Sequence, residues 1–232
     1  MVKLLAMFSI PVVPFSFITE YFFENCRSCR DYFFPFLVFF AFFFASLGFG
    51  KSGFLLSLLA VITSILYTYK LFKVKSVEEW VFNFFIATVS LSWLNTKNML
   101  LFILVFAVPL IVIHFLFYHL KKQGVSLSFR ELVGIGSYLP KFSAILFLAI
   151  IASLVIAPAY ALFLSFELIK GNILLALIFI VEWIAWNWVG FKLFPNIIFG
   201  EPREINGYKD IEAEEAFPLT FTLIALLILP LV

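Results

Sequence analysis

The stretch MLLFILVFAVPLIVIHFLFYHL, residues 99–120, contains no Asp, Glu, Lys or Arg. At 1.5 Å of rise per residue it makes a helix of about 33 Å, enough for the ~30 Å hydrocarbon core of a bilayer.

The rest of the chain reads the same way. Of its 232 residues, 64% are hydrophobic and 13% charged, and the mean hydropathy is +1.11. A soluble domain is about half apolar and a quarter charged, so this composition excludes both a soluble globular chain and a disordered one. It also excludes an outer-membrane barrel, whose strands alternate in polarity. The expected fold is all-α: a single polytopic transmembrane helix bundle over residues 1–232. Phe is the signature residue, with 34 copies.

Breaks at charged residues divide the chain into eight apolar segments: 2–19, 33–49, 53–69, 80–94, 99–120, 142–169, 172–199 and 217–232. About eight spans are therefore expected. The fourth is the shortest and most polar, with Asn83, Thr88, Ser90 and Ser92; a re-entrant or interfacial piece is its alternative reading. The sixth and seventh would each be about 42 Å long as straight helices, more than a bilayer needs. Pro158 lies in the sixth, where a missing backbone donor predicts a broken helix. The seventh is expected to end near Pro195. The first, with Lys3 as its lone leading charge and no small-residue cleavage site, reads as a membrane helix rather than a signal peptide.

With eight spans, the odd-numbered loops carry eleven Lys and Arg residues and the opposite side carries four. The positive-inside rule then puts both termini outside the cytoplasm, in a multi-pass protein of the cell (inner) membrane. A net charge of +2 leaves no basic patch for a nucleic acid. The expected partners are the lipid bilayer and other membrane subunits. Cys26 and Cys29 form a Cys-x-x-Cys pair without enough further ligands for a metal. They read as idle thiols, with a labile disulfide as the alternative. No His-Glu-x-x-His, Gly-x-Ser-x-Gly or Walker motif occurs. The sequence thus offers no enzyme motif of its own, no cofactor and no metal site.

Ionisable residues inside spans are the candidate functional residues, because burying them in lipid is costly. Glu182 sits in the middle of the seventh segment, and Lys192 lies ten residues on. Glu167 lies near the end of the sixth, three residues before Lys170. His114 and His119 lie late in the fifth; five residues apart, they point about 140° from one another and cannot ligate one haem iron. Glu182 reads either as a proton-relay carboxylate or as a structural one. Glu167 reads as the helix-face partner of Lys170 or as a residue acting beside the Pro158 break. His114 reads as a relay member or as a packing residue. Residues 182, 186 and 189 share a face, which is expected to turn toward another helix, with Asn187 pointing elsewhere.

Four stretches, FRELVGIGSYLPK (129–141), LVIAPAYALFLSFELIK (154–170), NIIFGEP (196–202) and DIEAEEAFP (210–218), resemble successive landmarks of the antiporter-like membrane subunits. That family includes the large proton-pumping subunits of respiratory complex I (NADH–quinone oxidoreductase), membrane-bound hydrogenase subunits and Mrp-type cation/proton antiporters. The resemblance covers residues 129–232 and implies a role in proton or cation transport within a multisubunit complex. Glu182, Glu167, His114 and Lys192 are the candidate ion-pathway residues; the resemblance itself touches Glu167 and His114 among them, beside a helix it implies is broken at Pro158. In the family a Lys or Glu usually follows the serine of the broken helix; here Phe166 follows Ser165 and Glu167 comes one position later. The chain has room for only one of the family's two inverted repeats. A non-conducting structural subunit, or an unrelated small polytopic protein such as a quinone-binding anchor, are the competing expectations.

Overall fold

A computed structural model describes residues 2–26, 30–49, 53–156, 160–169, 172–201 and 208–228. Among these the regular elements are helices, with no strand. In chain order they are α1 (Val2–Ser9), α2 (Phe15–Asn25), α3 (Arg30–Ser46), α4 (Phe54–Leu71), α5 (Val77–Ser90), α6 (Met99–Lys122), α7 (Pro140–Ser153), α8 (Tyr160–Ile169), α9 (Ile173–Phe199) and α10 (Ala213–Ile228). Short 3₁₀ turns follow α5 (Leu91–Leu94) and precede α7 (Ile135–Ser137). Three helices, α4, α6 and α9, are each long and apolar enough to cross a membrane.

The chain divides into two compact units, one of Met1–Leu71 with Phe82–Ala107, the other of Phe72–Val81 with Val108–Val232. In the first, α1 packs on α3, α2 on both, and α4 on the 3₁₀ turn after α5. Aromatic contacts hold it together: Phe23 stacks on Phe82 with ring centroids 4.1 Å apart, and Phe34 meets Phe85 edge-on at 5.4 Å. In the second, α7 packs against α8, α9 and α10.

The first apolar segment is two helices. Pro11 and Pro14 together remove two backbone donors within one turn, and the chain leaves the helix between Ser9 and Phe15. Four single prolines among the described residues do not have this effect. Pro35, Pro109, Pro195 and Pro218 all lie inside continuous helices. The expected end of the seventh segment at Pro195 is therefore corrected: α9 runs through it to Phe199, where Gly200 N–H caps Asn196 O at 3.1 Å. One missing N–H frees one carbonyl, which a long helix tolerates.

The segment read as the weakest is the most buried. Trp80, Phe82, Phe84, Phe85, Ile86, Ala87 and Val89 of α5 are all at most 1% exposed. Its hydroxyls are satisfied within their own helix: Thr88 Oγ1 donates to Phe84 O at 2.8 Å and Ser90 Oγ to Ala87 O at 3.1 Å. Polarity in this helix is thus compatible with a core position. Cys26 is disulfide-bonded, which corrects the reading of idle thiols; Cys29 lies outside the described residues.

Candidate functional site

The long helix α9 begins at Asn172, whose side-chain oxygen accepts from Leu175 N–H at 3.1 Å and so satisfies one orphan donor of the first turn. Phe179, Glu182, Trp186, Val189, Phe194 and Ile197 form one buried stripe. Leu174, Leu177, Val181, Ile184, Trp188 and Phe191 form the opposite, exposed one. Glu182 is 3% exposed, so its carboxyl group lies on the packed face and not on the exposed one. Trp186 and Val189 share that face, as the helical spacing requires.

Next to this stripe, α9 receives the end of α7. Helix α7 stops at Ser153, and Val155 takes φ 60°, a strained left-handed conformation for a β-branched residue. The carbonyls released there are taken up from α9. Asn187 Nδ2 donates to Leu154 O at 3.1 Å, and Trp183 Nε1 donates to Val155 O at 3.2 Å. A Cβ on Gly190 would come within 2.5 Å of a Leu154 methyl, so α9 approaches this turn as closely as a glycine allows. Residues 183, 187 and 190 thus serve the chain discontinuity, while 182, 186 and 189 form the adjoining buried face. Asn187 is committed to Leu154, in line with its pointing elsewhere. Pro158 lies outside the described residues, and segment 142–169 comprises two helices, α7 and α8.

The other candidates are dispersed. Glu167 and Lys192 are exposed. Lys170 lies outside the described residues. Lys192 is about 15 Å along the α9 axis from Glu182. His114, half-buried on α6, stacks on Tyr118 with centroids 6.5 Å apart, and Lys122 Nζ lies 4.7 Å from the Tyr118 ring.

Stretches chosen from sequence as landmarks do meet. Gly134, at φ 76°, donates its N–H to Asn196 O at 2.9 Å. Gly136 lies where a Cβ would be 2.5 Å from Ile198 O. Asp210 caps α7, accepting from Lys141 N–H at 2.9 Å and Phe142 N–H at 3.0 Å. Further contacts join residues 72–81 to the turn after α6: Lys121 Nζ to Glu78 at 2.8 Å, Val77 N–H to Leu127 O at 3.1 Å, and Phe129 N–H to Lys75 O at 3.1 Å. The loops grouped on one side by their positive charge, around residues 75, 128 and 209, are therefore in contact.

Sequence reasoning missed a polar group in the first unit. Ending the first segment at a charge left Glu20 outside it, whereas α2 continues to Asn25. Lys70 Nζ contacts both Glu20 carboxylate oxygens, and Tyr67 OH is 3.0 Å from Glu20 Oε2 and 2.9 Å from Ser16 O. One turn back along α4, Thr63 Oγ1 accepts from Val13 N–H at 2.9 Å. Trp93 Nε1 donates to Ile10 O at 3.1 Å. The α1–α2 joint is thus held by side chains from distant parts of the chain, and no short-range pattern announces them.

The chain is 51% identical over 230 residues to an uncharacterized protein of Aquifex aeolicus (strain VF5), with 99% of each sequence covered. It belongs to the family of that protein. No family model matches the chain.

Proposed function

We propose that the chain is a multi-pass inner-membrane subunit of an ion-translocating respiratory, hydrogenase or cation/proton antiporter complex, contributing part of a proton or cation pathway. The observation that carries this reading is Glu182, a carboxyl residue buried at the middle of a membrane-length helix beside a discontinuity in its neighbour. A carboxyl group there exchanges its charge for a proton at a cost set by its surroundings, which is what a relay requires. The discontinuity supplies polar backbone groups at the same level, held by Trp183 and Asn187. The resemblance of residues 129–232 to antiporter-like subunits supports the same reading. So does the contact between the 129–141 turn and the end of α9. Eight spans, with both termini outside the cytoplasm, complete the proposal.

A non-conducting structural subunit is the second reading, favoured by the exposure of Glu167 and Lys192. One experiment separates the two. The complex purified through a tag on this chain is reconstituted in liposomes loaded with a pH dye, and flux is driven by a potassium diffusion potential. Glu182→Gln keeps the side chain's shape and hydrogen-bonding capacity but cannot ionise. Loss of roughly tenfold or more in proton flux is expected. Unchanged flux in a correctly assembled complex would make Glu182 structural. Purification of the chain without any membrane partner would remove the subunit reading altogether.

A further inference from the structure

The first unit holds nine of the buried polar side chains, all hydroxyls: Ser9, Ser16, Thr19, Thr63, Ser64, Thr68, Thr88, Ser90 and Ser92. Three of its contacts fall in register. Val13 meets Thr63, Ser16 meets Tyr67, and Glu20 meets Lys70. Positions 13, 16 and 20 advance along one face of the α1–α2 segment as 63, 67 and 70 advance along one face of α4, so the two segments run parallel along a polar seam. At 1.5 Å per residue the seam is about 10 Å long. Its outer end is open: the Glu20 and Lys70 side chains are 18% and 29% exposed. Its inner end is closed: Ser16, Thr63 and Tyr67 are 0% exposed.

The seam has more hydrogen-bonding capacity than the protein uses. Tyr67 has one hydroxyl hydrogen for two acceptors, Ser16 O and Glu20 Oε2. Ser16 Oγ is fully buried and meets no donor or acceptor among the described residues. Ser92 Oγ, next to the Trp93 that serves the same joint, is in the same position. A buried hydroxyl left unbonded costs about 1–3 kcal/mol, and an internal water removes that cost where it finds two or more polar partners. Dry aromatic packing elsewhere in this unit, such as Phe34 on Phe85, offers no such partners.

We infer that the α2–α4 seam is a water-holding site. It binds an internal water at Ser16 Oγ, at the α1–α2 joint behind the Glu20–Lys70 pair. This assignment does not rest on ion conduction through Glu182, and its test measures no flux. The protein, purified through a tag together with any membrane subunits that accompany it and placed in lipid nanodiscs, is exposed to hydroxyl radicals generated by X-ray radiolysis, which label side chains beside bound water. Modification rates are read by mass spectrometry and corrected for intrinsic reactivity. Tyr67 is expected to label roughly fivefold or more faster than Phe85, although both are 0% exposed. Ser16→Ala, which removes the hydroxyl without adding bulk, is expected to bring Tyr67 down toward the Phe85 rate while the melting temperature stays close to wild type. Tyr67 labelling at the Phe85 rate in the wild type would show a dry seam, with Glu20–Lys70 acting only as a brace. Fast labelling that Ser16→Ala leaves unchanged would overturn the placement of the water at Ser16.

Discussion

Both units interrupt a helix in an apolar setting, and they repair the interruption differently. In the first, two prolines three residues apart open the α1–α2 joint, and donors and acceptors come from sequence positions 63, 67 and 93. In the second, the end of α7 is repaired by two residues one turn apart on a single helix, Trp183 and Asn187. The first repair leaves hydroxyls buried along a seam with a charged mouth. The second sits beside a single buried carboxyl group, Glu182. Breaking a helix in apolar surroundings always frees backbone groups, but the side chains that satisfy them set what chemistry is available. Small hydroxyls favour held water, whereas a carboxyl group favours exchange of charge.

The strongest test of this contrast compares the two tryptophans. Trp93 is wholly buried, so Trp93→Ala removes a large side chain as well as the donor to Ile10 O and should cost about 3–5 kcal/mol. Trp183 is half-buried, and Trp183→Phe, which removes mainly the donor to Val155 O, should cost about 1–2 kcal/mol. Reversible unfolding in mixed micelles, followed by helical circular dichroism, measures both; equal costs would erase the distinction between the joints. A finer comparison uses Asn187→Leu and Thr63→Val, each leaving a backbone group without its partner. Both should lose about 1–3 kcal/mol, and additivity in the double variant would confirm that the repairs are independent. The smallest effect is expected for Lys192→Gln. That side chain is exposed, and its replacement should change stability by no more than about 0.5 kcal/mol. A larger loss would give Lys192 a partner within an assembled complex.

Two residues and one helix mark what the sequence made legible. Glu182 was legible: a carboxylate in an apolar run must be buried or partnered, and the 3.6-residue period put Trp186 and Val189 on its face. The burial of α5 was not. Its asparagine, threonine and serines lower its hydropathy, and two of those hydroxyls bond back to their own helix, so local polarity misreported its environment. Glu20 was not legible either. A charge ends an apolar run when the rule is hydropathy, but here the charge has a cation fifty positions away.

Composition by itself determined the class of this protein. With 64% apolar residues, and runs such as residues 99–120 without a charge, the backbone must satisfy its own hydrogen bonds, and helices do so in any apolar medium. Helical spacing likewise determined which residues share the Glu182 face. Only the tertiary structure decided where helices stop and what repairs the stops. Four prolines lie inside continuous helices while Pro11 and Pro14 open one, and the groups that close that opening lie some fifty to eighty residues away. A freed carbonyl or N–H is satisfied by whichever side chain folding brings within hydrogen-bond reach, and that is a property of packing, which no local pattern encodes.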